Sequence, residues 1–315
     1  MGQNYNISNG GCVIAKGVTT IGDSEFANFE FIKKIKLPST LKSIGKSAFH
    51  SCTQLTSVFI PSSVTEIGIG AFNDCSRIDE IVVDFNNLKY MSDGNCCLSK
   101  NGETLIFGCK SSIIPNFVKH IGDSAFEAMG LENIHLPQSI VSIGERAFAV
   151  SQHLMSIILP ANLGRIGKQA FYCCDELEEL TIPGTVKCIE DEAFWGCKKL
   201  SSVTIQNGVK EIKESAFYNC PKLTSIKIPS SVQKFGWRAF EKRFLKDIYL
   251  SDSPSKYNAL VNSFQSGLFG GYSKERVQIF RQPEPLKDKI NITLHVPQGT
   301  EQDYKNHPFF GKFDF

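Results

Sequence analysis

The hydrophobic residues of this chain recur in one pattern, which is clearest in LTSVFIPSSVTEIGIGAFNDC, residues 55–75. Val58 and Ile60 lie two residues apart, as the inward side chains of a β-strand do. Pro61 ends that strand, because proline has no N–H to donate to a neighbouring strand. A second short apolar stretch covers residues 64–67. The pattern therefore predicts a strand, a short apolar segment and then a change of chain direction.

The last part of the unit predicts how the interior is packed. Gly68 indicates a sharp turn with positive φ, which glycine adopts without strain. Residues 69–75 are too few for a full helix and predict one or two helical turns. Phe72 is expected to point from these turns into the interior, where a buried phenylalanine contributes about 1.5–3 kcal/mol by area.

An equivalent phenylalanine closes every unit, and eight of the nine follow an alanine. Their spacings are 23, 23, 54, 22, 23, 23, 23 and 23 residues. Such a period is typical of a solenoid, in which each coil buries its apolar face against its neighbours. We therefore predict an α/β repeat solenoid of about nine coils with a parallel β-sheet and one internal column of phenyl rings. The phenylalanines are Phe26, Phe49, Phe72, Phe126, Phe148, Phe171, Phe194, Phe217 and Phe240.

The motifs I-P, V-x-x-I-G and A-F-x-x-C recur in phase, as in LENIHLPQSIVSIGERAF, LEELTIPGTVKCIEDEAFWGC and LTSIKIPSSVQKFGWRAF. Over roughly residues 17–250 the chain resembles the BspA-type leucine-rich repeat, a bacterial cell-surface subfamily with coils of this length. The resemblance implies a right-handed leucine-rich-repeat coil, a secreted or cell-surface protein, and a role in adhesion or protein binding.

Some units depart from the motif. Glu190 and Lys213 replace the glycine of the turn, so these two turns are expected not to need positive φ. Other side chains replace the cysteine of A-F-x-x-C, and the divergent first and last coils are expected to cap the stack. The residues at the cysteine position in these units are Phe29, Met129, Ser151 and Arg243.

The 54-residue step marks an insertion between the third and fourth repeats. Asp93-Gly94 and Asn101-Gly102 are turn signals, and they predict a β-hairpin near residues 89–110. Its strands are expected near 95–98 and 103–107. The hairpin is expected either to enlarge a coil or to form a binding protrusion.

The period breaks after Leu250, so we assign residues 1–250 to the solenoid and 251–315 to an irregular segment with a capping strand and helix. Residues 254–264 predict a short helix and 282–289 a loop. The alternation around Leu294 predicts a last strand, and Gly299 and Thr300 lead into a short helix near 301–306. This segment, VPQGTEQDYKN, resembles the terminal part of bacterial members of the family, and its physical role would be to cover the last coil.

Net charge and the distribution of apolar residues narrow the set of possible functions. The formal net charge is +2, which does not indicate nucleic acid as a partner. No apolar run is long enough for a membrane span. The first residues, MGQNYNISNGG, are polar and uncharged rather than typical of a signal peptide. Either the protein is cytosolic, or this is a mature chain from which a signal peptide has been removed. The resemblance, which implies export, favours the second.

The eleven cysteines predict a ladder of thiols rather than a disulfide framework. Five of them lie three residues after the repeated phenylalanine, so they share one position in successive coils and their Cβ vectors run parallel, which suits a disulfide poorly. We expect buried free thiols that act as small apolar side chains. The adjacent pairs Cys96-Cys97 and Cys173-Cys174 are expected to point alternately inward and outward. The five ladder cysteines are Cys52, Cys75, Cys174, Cys197 and Cys220.

No complete catalytic, metal or cofactor motif is found. Gly45-Lys46-Ser47 matches the end of a P-loop, but Thr40 stands where the earlier glycine is required. Gly68-Ile69-Gly70 matches only part of a dinucleotide-binding motif. This match and the partial P-loop match both follow from the repeat. The sequence therefore predicts a protein that is not an enzyme, with no cofactor and no metal site.

The sheet face is the candidate binding surface. On each predicted strand, the residue between the two inward apolar residues points to solvent. Phe59, Val82 and Ile158 are large and apolar there, and a contiguous exposed apolar patch often marks an interaction site. Such residues are also normal when scattered, and the hairpin is the alternative cover for the first two. The candidate face comprises Lys36, Phe59, Val82, His135, Ile158, Thr181, Lys227 and Tyr249.

Two functions fit these observations. The first is a non-catalytic surface or secreted protein that adheres to a host or extracellular-matrix protein through the sheet face or the hairpin, with a glycan as the alternative ligand. The second is a structural spacer or stalk that presents another domain. An enzyme would need chemistry in residues 251–289, where no motif supports it.

Overall fold

A computed structural model describes residues 4–241, 244–257, 290–308 and 310–315. The chain forms two compact units, Met1–Pro160 and Ala161–Phe315. Both units are parallel β-solenoids, which confirms the predicted fold class. The domain boundary after residue 250 stays a prediction.

Each regular coil of unit 1 contributes one strand of three or four residues and one strand of two residues to different sheets. The strands of unit 1 are β1 Tyr5–Ser8, β2 Gly11–Ile14, β3 Thr20–Ile21, β4 Lys34–Lys36, β5 Ser43–Ile44, β6 Ser57–Ile60, β7 Glu66–Ile67, β8 Glu80–Val83, β9 Tyr90–Asp93, β10 Cys96–Ser99, β11 Thr104–Phe107, β12 His120–Ile121 and β13 Ser142–Ile143. The long strands of its first coils form two sheets. In one, β1 and β2 pair in antiparallel fashion and β4 adds to them in parallel; in the other, β6 and β8 form a parallel pair.

Unit 2 repeats the same two kinds of strand and contains one short α-helix near its C-terminal end. Its strands are β14 Arg165–Ile166, β15 Glu179–Ile182, β16 Cys188–Ile189, β17 Ser202–Ile205, β18 Glu211–Ile212, β19 Ser225–Ile228, β20 Lys234–Phe235, β21 Asp247–Leu250, β22 Ile290–His295 and β23 Phe313–Asp314, and its helix is α1 Glu301–Asn306. The long strands and the terminal β23 pair in the order β15-β17-β19-β21-β22-β23.

The predicted strands are missing in two coils of unit 1. Residues 132–136 and 155–159 carry the same alternation of apolar residues, yet they adopt no strand. The long-strand sheet that contains β6 and β8 therefore does not continue through these coils, although their inward residues Leu136 and Leu159 are buried.

The segment around each phenylalanine consists of consecutive tight turns, and the predicted helical turns are wrong. Among the described residues, those at the positions two before and two after the repeated phenylalanine adopt the left-handed conformation, for example Ser47 (φ 53) and Ser51 (φ 56). These conformations direct alternate N–H groups along the stack, so that Ser47, Phe49 and Ser51 donate to carbonyls of the next coil. A helix would use all of these N–H groups within itself.

The repeated glycine has a different role from the one predicted. Gly45 and Gly68 do not have positive φ. A Cβ at Gly68 would lie 2.4 Å from the backbone nitrogen of Lys46, so glycine is required there because two coils approach closely. Glu190 and Lys213 occupy this position in two neighbouring coils of unit 2, and their side chains form an ion pair of 2.6 Å.

The phenylalanines form a stacked internal column in each unit, as predicted. Phe26, Phe49 and Phe72 stack in unit 1 with centroids 5.2 and 5.3 Å apart and interplanar angles of 7° and 3°. In unit 2 the same stacking connects Phe171, Phe194, Phe217 and Phe240 at 5.2–5.4 Å. All of these rings are buried.

The insertion is a three-stranded meander rather than a single hairpin. Strand β10 pairs in antiparallel fashion with β9 on one side and β11 on the other. Cys96, Cys97 and Leu98 are all buried, so the expected inward and outward alternation of the two cysteines is wrong, because the middle strand is covered on both faces. The middle of the insertion is therefore packed into unit 1 and does not protrude.

The C-terminal residues extend the sheet of unit 2. Strand β22 pairs in parallel with β21, and Leu294 lies opposite Ile248. Tyr304 of α1 is buried and its hydroxyl donates a hydrogen bond to the carbonyl of Asp252. A 3-10 turn, Pro254–Tyr257, begins where a short helix was expected; the rest of that helix, the loop predicted over 282–289 and the Arg243 position lie outside the described residues.

Candidate binding face

Unit 1 exposes apolar side chains where its long strands face solvent. Phe59 on β6 and Val82 on β8 lie opposite each other in the parallel register and are 50% and 37% exposed. Lys36 is exposed on β4, with the exposed Val13 opposite it on β2. The side chains of Phe59 and Val82 both remain exposed with the insertion in place, so the insertion does not bury them.

His135 and Ile158 also face solvent, but they lie on the two extended segments that adopt no strand. Ile158 is 78% exposed. The prediction of one continuous ladder of strands through these residues is therefore wrong, although their outward direction is as expected from the alternation of side chains.

Unit 2 presents a more polar face. Thr181 lies opposite Thr204, Thr204 opposite Lys227, and Lys227 opposite Tyr249. The ring of Tyr249 stacks on His295 with centroids 4.2 Å apart. The face therefore ends in an aromatic pair.

His295 is fixed on its strand by a charged neighbour. Its Nε2 lies 2.8 Å from Oδ1 of Asp247, which holds the imidazole beneath the Tyr249 ring. His295 is not among the residues predicted for this face. His295 directly follows the buried Leu294 in the strand INITLH, and this alternation could have identified it as outward-facing.

Two further exposed apolar residues were missed because they follow strand β8. Phe85 and Leu88 are 87% and 81% exposed. The loop that carries them is held by the buried side chain of Asn87, whose Nδ2 donates to the carbonyls of Pro61 and Val64 at 2.8 and 2.9 Å. Its Oδ1 accepts two backbone hydrogen bonds from residues 89 and 90. The loop therefore presents its apolar side chains from a fixed backbone.

Burial disfavours the reactive thiolate form at Cys96 and Cys12. Burial raises the pKa of Cys96 to about 12 and that of Cys12 to about 11, mainly because the thiolate would lose its hydration. All eleven cysteines are free. Among the residues that the structure describes, no three His, Cys, Asp or Glu side chains converge as a metal site would require.

In the described part of the chain, no helix is long and apolar enough to cross a membrane. No curated protein matches the chain.

Solved structures of bacterial leucine-rich repeat proteins are similar to this protein. A leucine rich cell surface protein from Faecalibacterium prausnitzii is 29% identical, with a TM-score of 0.64, over 82% of this chain and 63% of that one. A leucine-rich repeat protein from Eubacterium ventriosum is 26% identical, with a TM-score of 0.58, over 73% of this chain and 75% of that one. This chain therefore spans less than two thirds of the first of these relatives.

A third structure, the pneumococcal vaccine antigen PcpA, shares the fold at 19% identity and a TM-score of 0.50, over 94% of this chain and 69% of that one. The family model described as "BspA type Leucine rich repeat region (6 copies)" matches residues 3–118, 119–246 and 164–282. The chain belongs to the BspA-type leucine-rich repeat family.

Proposed function

We propose that this protein is a non-catalytic binding protein whose unit 1 engages another protein through its exposed sheet face. The observation that carries the proposal is the pair formed by Phe59 and Val82. These residues lie side by side on neighbouring strands, where the spacing between strands is about 4.8 Å, and both are exposed. A sheet face without a partner would favour polar residues at these positions.

The loop after β8 supports the same surface. Phe85 and Leu88 are more exposed than either sheet residue, and the hydrogen bonds of Asn87 hold their backbone. Side chains presented from a fixed backbone lose less conformational freedom on binding, which favours affinity. We include this loop in the binding face together with Lys36, His135 and Ile158.

The partner we propose is a host or extracellular-matrix protein, and the location is the cell surface or the surrounding medium. The similarity to a protein described as a cell surface protein supports the location. Thr181, Lys227 and Tyr249 give unit 2 a polar face that would suit a glycan, which is the alternative ligand. A structural spacer is the second candidate function, and the polar face of unit 2 favours it for that part of the chain.

Charge substitution tests the binding face. The double variant Phe59→Lys and Val82→Lys introduces two charges into the apolar pair, while Thr181→Lys with Thr204→Lys makes the matched change on unit 2. Binding to immobilised serum and extracellular-matrix proteins is measured by surface plasmon resonance, and folding by circular dichroism. We expect the first variant to lose binding and the second to retain it.

Binding that survives the Phe59 and Val82 changes in a folded variant would refute the sheet face of unit 1. A wild-type chain that binds none of the immobilised proteins would favour the spacer.

A further inference from the structure

A ladder of peptide groups runs along the turns of unit 1 and is interrupted at one place. The peptide between Lys46 and Ser47 accepts a hydrogen bond from Ser24 N–H at 2.9 Å and donates one to the carbonyl of Ile69 at 3.2 Å. The next peptide, between Ile69 and Gly70, accepts that bond through its carbonyl. Each coil thus contributes one peptide group to this ladder, which accepts a hydrogen bond from the coil before it and donates one to the coil after it.

The N–H of Gly70 has no acceptor among the described residues. The ladder resumes with the peptide between Asp123 and Ser124, whose N–H donates to the carbonyl of Glu145 at 2.8 Å. The carbonyl of Asp123 in turn receives no N–H from the part of the chain that the structure describes. The Gly70 N–H and the Asp123 carbonyl are therefore both unpaired within the described part of the chain.

Unit 2 shows that this position is paired where coils follow without an insertion. Gln169, Glu192 and Ser215 each stand two residues before a phenylalanine, as Gly70 does, and each donates to the next coil at 2.8–3.0 Å. The interruption is therefore a property of the insertion after the third repeat and not of the turn itself.

A cleft of about 420 Å³ lies at the interruption, and both Gly70 and Asp123 line it. On one side the coils remain in contact, because Asp74 N–H donates to the carbonyl of Glu127 at 3.2 Å and Asn73 Nδ2 donates to Oε2 of Glu127 at 2.8 Å. The two coils are thus joined at one end of the turn and separated at the other. This volume lies within the range of small-ligand sites.

The side chains of the cleft carry both signs of charge. Lys46 comes from the coils before the insertion, and Asp123 and Glu145 come from the coils after it. Arg146 is paired with Glu127 through its Nε at 2.9 Å from Oε1. The exposed side chain of Ile69 adds an apolar contact at the entrance.

We propose that this cleft binds an extended peptide segment of a partner protein, one peptide group of which completes the ladder. The carbonyl of that group accepts from Gly70 N–H, and its N–H donates to the carbonyl of Asp123. A backbone that supplies the missing hydrogen bonds of a regular array is the principle of strand addition. The mixed charges on the walls favour a peptide with a basic and an acidic side chain. This site is separate from the sheet face and does not depend on it.

Amide exchange followed by NMR tests the interruption and the ligand together. In the free protein we expect the Gly70 amide to exchange faster than those of Ser47 and Ser124, which donate to a neighbouring coil. The probe is a set of blocked tripeptides with alanine in the centre and lysine, glutamate or alanine at each end. Saturating tripeptide is expected to shift the Gly70 resonance and to slow its exchange about tenfold, as one added hydrogen bond would.

Two controls make the test specific. The ester analogue, in which oxygen replaces the alanyl N–H, cannot donate to Asp123 and is expected to bind at least several-fold more weakly. Ile69→Trp places an indole at the entrance and is expected to abolish the shift, whereas Lys168→Trp, at the same position of a coil in unit 2, is expected to leave it unchanged.

The proposal is overturned if no tripeptide shifts Gly70, or if the ester analogue binds as tightly as the amide. A Gly70 shift with N-acetylglucosamine but with no tripeptide would assign the cleft to a sugar amide and would overturn it as well.

Discussion

The thiol of Cys75 donates a hydrogen bond to the backbone carbonyl of Phe49, 3.1 Å away in the preceding coil. Cys52, Cys197 and Cys220 make the same bond to the phenylalanine 26 residues earlier, at 3.2–3.3 Å. In these four A-F-x-x-C motifs the cysteine therefore fills a small apolar space and also satisfies a carbonyl of the coil before it. This second role explains why the position favours a thiol over an alanine.

Ser151 occupies the cysteine position of its coil, and its buried hydroxyl has no hydrogen-bond partner among the residues that the structure describes. The carbonyl equivalent to those above is that of Phe126. Because a C–S bond is longer than a C–O bond, we expect Ser151→Cys to reach it and to raise the free energy of unfolding by about 1 kcal/mol. Urea denaturation measures the change, and Cys75→Ser is the reciprocal control, expected to lower the same quantity. A less stable Ser151→Cys protein would contradict this account of the thiol.

The buried thiols are expected to make stability fall in alkaline solution. Burial raises the pKa of Cys96 to about 12 and that of Cys12 to about 11, above the ordinary value of 9.0. Because the folded state holds these protons more tightly, their contribution is complete below pH 9 and is lost progressively as the pH rises towards 11 and 12. We expect the urea midpoint to drop across this interval, and Cys12→Ala to reduce the drop.

The same burial predicts the reactivity of the thiols. Since the thiolate is the nucleophile, the folded protein should react slowly with Ellman's reagent at pH 8. After unfolding without reductant, all eleven thiols should titrate. A lower count would indicate disulfides and would contradict the thiol ladder.

The sequence specified the coil and the phenylalanine column because both follow from spacing within one unit. It did not specify the left-handed residues, since Arg146, Gln169 and Glu192 adopt positive φ without the glycine or asparagine that usually signals it. Their conformation is set by the hydrogen bonds between coils, which no single unit contains.

The candidate face was predictable only in part. Strand alternation correctly gave the outward direction of Phe59 and Val82. Phe85 and Leu88 lie after the strand, where the period no longer applies, and the cleft at Gly70 depends on how the 54-residue step folds between two coils. These features arise from contacts between segments that are distant in the sequence.

The close approach of coils at Gly68 gives a prediction about a single methyl group. A Cβ there would meet the Lys46 nitrogen at 2.4 Å, so Gly68→Ala is expected to cost about 1–3 kcal/mol through overpacking. Gly22 occupies the same position in the first coil, and its Cβ would meet only the Glu25 side chain at 3.5 Å. Gly22→Ala is therefore the matched control and should change the melting temperature little. Equal losses in both variants would show that backbone flexibility, not close approach, selects glycine here.

Removal of a ring from the stacked phenylalanine column is expected to cause the largest loss of stability. Phe194 lies between Phe171 and Phe217, with both centroid distances at 5.2 Å, and its ring is fully buried. Phe194→Ala removes the ring from both stacks and leaves a cavity, so we expect a loss of about 3–5 kcal/mol in the free energy of unfolding. Phe85→Ala, which removes the same side chain from an exposed position, should change that free energy by less than about 0.5 kcal/mol. Chemical denaturation of the two variants beside the wild type makes the comparison. If Phe194→Ala were as stable as Phe85→Ala, the phenyl column would not be what holds the coils of unit 2 together.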